Sequence, residues 1–92
     1  MIRNFSHKGL ERFFATGNKA GIRPEPAKRL RLILALLEAA QEIEDLNFPG
    51  SRLHPLHGDR EGFWAVNVSG NWHVLFRFAD AEAADVDYTD YH

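Results

Sequence analysis

The chain has 92 residues, of which 45% are hydrophobic and 26% charged, with no cysteine and a formal net charge of −2. This length and composition fit one globular domain over residues 1–92 and exclude disordered and fibrous proteins. The missing cysteines exclude disulfides, thiolate zinc sites and thiol nucleophiles, and they suit a reducing cytoplasm.

The first predicted elements are an edge strand at residues 2–5 and a helix that follows it. Ser6 is the predicted N-cap of this helix, because its hydroxyl can accept a backbone N–H of the first turn. Leu10, Phe13 and Phe14 then follow at the spacing of one helical face. The pattern therefore predicts a short amphipathic helix.

A second helix is predicted after a Gly- and Pro-containing link. Pro24 and Pro26 stand where proline is tolerated, in the first turn of a helix. Residues 40–46 either continue this helix or form a further short one, and Pro49-Gly50 closes the helical half. The apolar positions form one stripe along the helix: Leu30, Ile33, Leu34, Leu37 and Ala40.

The C-terminal half has the period of two that is typical of half-buried strands. Gly70-Asn71 is a two-residue hairpin signal, and a second turn at 79–82 leads to a third strand. We therefore predict an α+β fold, with two or three N-terminal helices packed on one face of a small curved antiparallel sheet. The alternating apolar residues are Trp64, Val66, Val68, Trp72, Val74, Phe76, Phe78, Ala84, Val86 and Tyr88.

The charge is unevenly distributed along the chain. Residues 1–37 carry a net charge of +6, residues 38–52 carry −3 and residues 53–92 carry −5. The near-neutral total therefore does not exclude a nucleic acid partner, since it combines a basic and an acidic segment. From charge alone, solvated cations on the helices are the simpler explanation.

The sequence shows neither a targeting nor a membrane segment. The most apolar run, residues 30–40, is interrupted by Arg31 and Glu38 and is shorter than the roughly 20 residues of a membrane span. Residues 1–9 carry too many polar side chains for a signal peptide. We expect a soluble, cytoplasmic protein with no membrane partner.

Histidines are the first candidates for chemistry, because imidazole titrates near neutral pH and serves as a general acid or base. His54 and His57 belong to a turn-rich stretch before the hairpin, and His73 lies on the solvated sheet face. The third strand would bring His92 towards the same face. For His7 we expect a simpler role as a hydrogen-bonded loop residue.

A zinc site is the alternative use of His54 and His57, which have the His-x-x-His spacing. Pro55 makes this segment extended, so the two side chains need not face together. Further ligands at regular spacing are also missing. We therefore predict no metal and no other cofactor, and an unrelated metalloprotein is the least favoured hypothesis.

Several segments resemble one known family. They are Ile2 to Gly9, the stretch HPLHGDREGFW at 54–64, Asn71-Trp72, Phe76, and the terminal Asp90-Tyr91-His92. Together they resemble the HigB branch of the RelE toxin superfamily over nearly the whole chain. The resemblance implies a curved antiparallel sheet with helices on one face, in agreement with the fold predicted above.

The resemblance also implies a function, that of the toxin of a type II toxin–antitoxin pair. Such a toxin is a ribosome-dependent endoribonuclease that cleaves mRNA in the ribosomal A site. Cleavage needs no metal, because the ribose 2′-hydroxyl attacks the adjacent phosphorus and leaves a cyclic phosphate. The implied partners are a helix-turn-helix antitoxin of the HigA type and the ribosome with its mRNA and rRNA.

Four residues match the catalytic positions of that family: His54, Asp90, Tyr91 and His92. His54 and His92 are the natural acid–base pair, with the two roles not divided between them. Asp90 would orient an imidazole or stabilise its charge. Tyr91 would donate a hydrogen bond or stack on a base.

Two positions depart from the family pattern. His57 stands where relatives commonly carry lysine, and His73 stands where they commonly carry arginine. Histidine supplies positive charge to a phosphate only when it is protonated, so we expect weaker or more pH-dependent activity. Arg60 and Arg77 are candidate substitutes. The departures motivate an alternative, a catalytically weak or inactive binding module for an antitoxin or ribosome.

Overall fold

The computed structural model describes residues 1–22 and 26–90. Within those ranges, helices precede a four-stranded antiparallel sheet of order β1-β2-β3-β4, which confirms the predicted α+β fold. Pro24, Tyr91 and His92 lie outside the described residues. The elements are α1 (Lys8–Thr16), α2 (Ala27–Ala39), β1 (His54–Pro55), β2 (Trp64–Ser69), β3 (Trp72–Ala79) and β4 (Glu82–Asp90), with 3₁₀ helices at Ile43–Leu46 and Gly58–Arg60.

The N-cap of α1 is His7, so the prediction of Ser6 was wrong. The Nδ1 atom of His7 accepts the backbone N–H of Leu10 at 2.9 Å. Ser6 is instead held against the sheet, because its N–H donates to the carbonyl of Val86 at 2.8 Å. The expected role of His7 as a hydrogen-bonded residue is confirmed.

The two helices cover one face of the sheet. Leu10 and Phe13 of α1 are buried, whereas Phe14 at the margin of the same face stays 40% exposed and packs on the ring of Phe5. Pro26 is the N-cap residue of α2, one position before the helix begins. The predicted apolar stripe of α2 is confirmed, since all its residues are buried: Leu30, Ile33, Leu34, Leu37 and Ala40.

Gly9 of α1 and Gly21 of the link to α2 make a close backbone contact. A Cβ atom added to Gly9 would lie 2.4 Å from the carbonyl oxygen of Gly21. Real Cβ atoms do not come so near to another backbone, so this contact requires glycine. The contact fixes the distance between α1 and the link that follows it.

The predicted meander is confirmed as β2, β3 and β4. The two-residue turn at Gly70-Asn71 joins the first pair, and Asp80-Ala81 joins the second. Asp80 and Ala81 have φ values of 53° and 64°, the left-handed backbone of a type I′ hairpin turn. The sequence did not predict β1, which has two residues and pairs with β2.

The alternation along β4 changes phase at a bulge. The register between β3 and β4 shifts beyond Leu75, where Asp85 adopts a φ of 52°. An extra residue in a bulged strand reverses the face of the sheet to which each side chain beyond the bulge points. As a result Ala83 is the buried residue, and the prediction that Ala84 lies on the apolar face was wrong.

The N-terminal segment does not form the continuous edge strand that we predicted. Ile2 and Phe5 make isolated parallel bridges to Ala83 and Val86 of β4. Between these bridges, the side chain of Asn4 bonds to Asp85, both to its carboxylate at 2.9 Å and to its N–H at 3.0 Å. The bulge therefore interrupts the backbone hydrogen bonds between the N-terminal segment and β4, and the side-chain amide of Asn4 takes their place.

The main core lies between the helices and the inner face of the sheet, where Phe76 is fully buried. The tryptophans Trp64 and Trp72 are partly buried against it, as expected. A smaller cluster on the outer face contains Leu56, Ala65, Leu75 and Phe63. Among the described helices, none is long and apolar enough to cross a membrane.

Candidate active site

The outer face of the sheet, opposite the helices, carries His54 and His73. His54 pairs with Ala65 of β2, and His73 pairs with Asn67 of β2 and Thr89 of β4. Directly paired residues of antiparallel strands point to the same side of the sheet. Ala65 and Asn67 are two positions apart on β2 and share a face, so both histidines, which are half-buried, lie on that face.

The rings of His54 and His73 stand next to each other. Their centroids are 6.1 Å apart and their planes are perpendicular. They belong to β1 and β3, with β2 between them, and the residue of β2 beside His54 is Ala65. Because alanine carries only a methyl group, the two larger rings can approach each other across this strand.

Each ring is oriented by a backbone carbonyl two residues earlier in the chain. The Nδ1 atom of His54 lies 2.6 Å from the carbonyl oxygen of Arg52, and that of His73 lies 2.8 Å from the carbonyl oxygen of Asn71. Because a carbonyl only accepts hydrogen bonds, Nδ1 carries the hydrogen in both rings. The nitrogen that exchanges a proton with a ligand is therefore Nε2 in both.

Arg52 has an unusual backbone conformation beside His54. Its φ of 49° lies in the left-handed region, which is sparsely populated by residues that carry a side chain. Such strain clusters at functional sites, where it positions a group that chemistry requires. At this position it accompanies the carbonyl that holds His54. Sequence reasoning missed Arg52, since no residue type at this position signals the conformation.

The loop after β1 carries His57 and Arg60, which are both exposed. The backbone N–H of Leu56 donates to the carbonyl of Phe63 at 2.9 Å and closes the loop. His57 is the N-cap residue of the 3₁₀ helix Gly58–Arg60 at the tip of the loop. These side chains therefore project into solvent from a loop that starts within two residues of His54.

Arg77 is placed at the other end of β3. It lies four residues from His73, about 13 Å along the strand at the usual rise per residue. Its guanidinium group lies 4.4 Å from the ring centroid of Phe63 and 3.5 Å from the carboxylate of Asp85. The structure therefore does not bring Arg77 to the pair of histidines.

Asp90 ends β4 and is exposed. It pairs in register with Trp72, next to the pair formed by His73 and Thr89. The pleat therefore directs Asp90 to the opposite side of the strand from Thr89. The predicted catalytic residues Tyr91 and His92 follow it outside the described residues.

The outer face also holds residues that sequence reasoning did not single out. Asp87 pairs with Leu75 and is half-buried, and its Oδ1 atom accepts the N–H of Tyr88 at 2.8 Å. Asn67, beside His73, donates to the carbonyl of Gly70 at 3.0 Å. The strand alternation could have identified both positions. Within the described ranges, no cluster of three or more His, Cys, Asp and Glu side chains could hold a metal ion.

Comparisons with known proteins agree with this arrangement. Residues 3–92 match a family described as HigB-like toxin, the RelE-like toxin HigB of type II toxin–antitoxin systems. The chain is also 40% identical over 92 residues to the Endoribonuclease HigB of Proteus vulgaris, and the match covers 100% of both chains. Both matches span the segments that form the outer face of the sheet.

Proposed function

This chain belongs to the HigB-like family of RelE-like toxins, and from that premise we propose that it cleaves mRNA held in the ribosomal A site. It is the toxin of a type II toxin–antitoxin system and an endoribonuclease. The proposal adds the substrate, the dependence on the ribosome and a mechanism that needs no metal ion.

The observation that carries the proposal is the pair of anchored imidazoles on the open sheet face. Cleavage of RNA by its own 2′-hydroxyl requires a base for that hydroxyl and an acid for the leaving 5′-oxygen. It also requires positive charge or N–H donors beside the phosphate in the transition state. Imidazole can meet each of these needs, and His54 and His73 lie within reach of one phosphodiester.

We assign the catalytic positions to His54, Asp90, Tyr91 and His92, as the family resemblance implies. His54 would transfer a proton through Nε2, while its Nδ1 stays on the carbonyl of Arg52. Asp90 lies at the end of β4, one residue beyond the partner of His73. The pleat directs the side chain of Asp90 to the opposite face, so its proposed role is argued from the family resemblance and from the nearness of the strand end to His73.

Four further residues are proposed to contact the RNA backbone: His57, His73, Arg60 and Arg77. His57 and Arg60 project from the loop beside β1, where they would meet phosphates next to the scissile one. Arg77 lies farther along β3 and would meet a more distant phosphate. These contacts would position the RNA without selecting its bases.

A type II toxin has an antitoxin as its partner, and we propose that this antitoxin is a helix-turn-helix protein of the HigA type. We further propose that the cations of the helices contact ribosomal RNA. Exposed basic residues on α1 and α2 support this, because they lie on the side of the sheet away from the histidines: Lys8, Arg12, Lys28 and Arg31. Contacts with phosphates make binding weaken as salt rises.

Expression of the protein in growing bacteria tests the proposed function. We expect growth arrest and mRNA that is cut within translated codons, as mapped by primer extension. Purified toxin that has been stripped of metal with EDTA and then dialysed should cut mRNA on ribosomes in a buffer whose only divalent ion is the magnesium that ribosomes require, and it should leave free mRNA intact. Intact transcripts in arrested cells would favour the alternative, a binding module that has lost catalysis, which the histidines at positions 57 and 73 motivate.

A further inference from the structure

We infer that His73 is a proton-transfer residue that works with His54, and does not serve only as a cation for the phosphate. The inference rests on the proposed RNA cleavage and names a catalytic residue for it. It depends on three features of the structure: the way in which the two rings are held, the distance between them, and the strand that carries His73.

The hydrogen bonds of the two rings allow each ring to gain and lose a proton in place. In His54 and His73 the Nδ1 hydrogen points at a carbonyl oxygen, at 2.6 and 2.8 Å. That bond is the same for neutral imidazole and for imidazolium, because protonation takes place at Nε2. The ring therefore keeps its orientation throughout a catalytic cycle.

His7 shows the opposite arrangement in the same protein. Its Nδ1 accepts the N–H of Leu10 at 2.9 Å, and therefore carries no hydrogen. Protonation of that nitrogen would break the cap of α1. The contrast indicates that carbonyl anchoring is a feature of the two histidines on the outer face and does not extend to every histidine here.

The separation of the rings suits a single phosphodiester. The centroids of His54 and His73 are 6.1 Å apart. A general acid or base needs a hydrogen bond of roughly 3 Å to its oxygen, so two such bonds span a comparable distance. One ring can thus reach the 2′-hydroxyl while the other reaches the 5′-oxygen of the same phosphate.

The surroundings of His73 hold it more firmly than a loop could. It lies on β3, an interior strand, between Asn67 of β2 and Thr89 of β4. In the strand register the nearest charged residues are Asp87 and Asp90 on β4, and Arg52 precedes β1. A residue that only neutralises phosphate needs no such fixed direction, whereas proton transfer does.

The chemical step balances with His73, in place of His92, as the proton-transfer partner of His54. Nε2 of one neutral ring takes the proton of the 2′-hydroxyl, and the 2′-oxygen forms a bond to phosphorus. The bond from phosphorus to the 5′-oxygen breaks as the other ring, in its imidazolium form, gives its Nε2 proton to that oxygen. The products are a 2′,3′-cyclic phosphate and a 5′-hydroxyl, and exchange with water restores both rings.

His73→Arg introduces the residue that relatives commonly carry at this position, and it separates the two roles because arginine keeps a positive charge and cannot transfer a proton near neutral pH. We expect single-turnover cleavage of ribosome-bound mRNA by His73→Arg and His73→Gln to fall by about 10²-fold or more. The wild-type rate should pass through a maximum as the pH changes, and both variants should lose one limb of that profile. Gln41→Arg, at an exposed position after α2, adds the same charge and should match the wild type.

A His73→Arg variant that cleaves as fast as the wild type, with the same pH profile, would overturn the inference. If the wild type and Gln41→Arg both leave ribosome-bound mRNA intact, the proposed function itself fails. Nitrogen NMR of the unmodified protein gives a second test that needs no variant to fold. We expect the Nδ1–H tautomer at His54 and His73, and the Nε2–H tautomer at His73 would contradict the inference.

Discussion

The ring of His54 contacts the ring of His73 across an intervening strand, on which Ala65 pairs with His54 and Asn67 pairs with His73. The pairing therefore depends on the place where β1 joins the sheet. Since β1 has two residues, its position is maintained by the outer cluster around Leu56 and Leu75 as much as by its own hydrogen bonds. The positions of the two histidines therefore depend on the packing of the outer cluster.

His54→Gln should abolish most of the activity while the protein stays folded. Glutamine can still donate to the carbonyl of Arg52, but it cannot transfer a proton. We expect cleavage of ribosome-bound mRNA to fall by about 10²- to 10⁴-fold, the usual contribution of a general acid or base. Circular dichroism should show an unchanged melting temperature, because His54 lies outside the main core.

His57→Gln is the matched control for His54→Gln. His57 is exposed on the loop after β1, and we propose only a phosphate contact for it. The loss should therefore appear in RNA affinity and be smaller than for His54→Gln. Equal losses of the maximal rate in the two variants would place His57 in the catalytic step and contradict this division.

Leu75→Ala should reduce activity more than its effect on stability accounts for. Leu75 belongs to the outer cluster that supports β1, whereas Leu37 is buried in the main core. Truncation of either leucine should cost about 2–5 kcal/mol of unfolding free energy. At a temperature where both variants are folded, Leu75→Ala should cleave more slowly than Leu37→Ala. Equal rates would show that the outer cluster does not position the histidines.

Arg77→Met should lower stability and also test the proposed contact with RNA. It removes the cation from the ring of Phe63 and from the carboxylate of Asp85. The expected loss of unfolding free energy is about 1 kcal/mol, since both interactions are partly exposed. If Arg77 also contacts a phosphate, the slope of log Kd against log salt should decrease by about one. An unchanged slope would leave Arg77 with a structural role alone.

Asp45 should make the turn after α2 sensitive to acid. Its Oδ2 atom accepts the N–H groups of Gln41 at 3.0 Å and Glu42 at 3.2 Å. These backbone hydrogen bonds hold the pKa of Asp45 below its ordinary value of 3.8. Because the pKa is lowered in the folded state, the stabilisation is present above pH 3.8 and is lost as the pH falls through the folded-state pKa.

Melting temperatures of the wild type and Asp45→Asn, measured from neutral to strongly acidic pH, check this expectation. Asparagine keeps one acceptor oxygen but carries no charge. The wild type should be the more stable protein at neutral pH, and the difference should shrink in acid as Asp45 becomes protonated. A difference that grows in acid would contradict the assigned direction of the pKa shift.

The sequence predicted the larger elements because burial on one side gives apolar residues a regular spacing along the chain. The stripe on α2 and the alternation along β2 and β3 follow directly from that rule. The prediction failed where side chains replace backbone partners, as Asn4 does at the bulge of Asp85. It also failed at Ser6, because the contact of its N–H with β4 comes from a distant part of the chain.

The face on which His73 lies could be predicted from the sequence, but its contact with His54 could not. The alternation correctly placed His73 on the open face of the sheet. The contact with His54 could not be predicted in the same way, because a two-residue strand has too few positions to show its register. The left-handed backbone of Arg52 was equally hidden, since arginine does not favour that conformation.

The division of the sheet into a covered and an open face has a consequence for evolution. Side chains such as Asn67, Asp87 and Thr89 surround the histidines but lie outside the main core. Substitutions at these three positions can therefore change the surroundings of the histidines while the helices and the inner face keep the fold. The open face can therefore vary in sequence without a matching change in thermal stability.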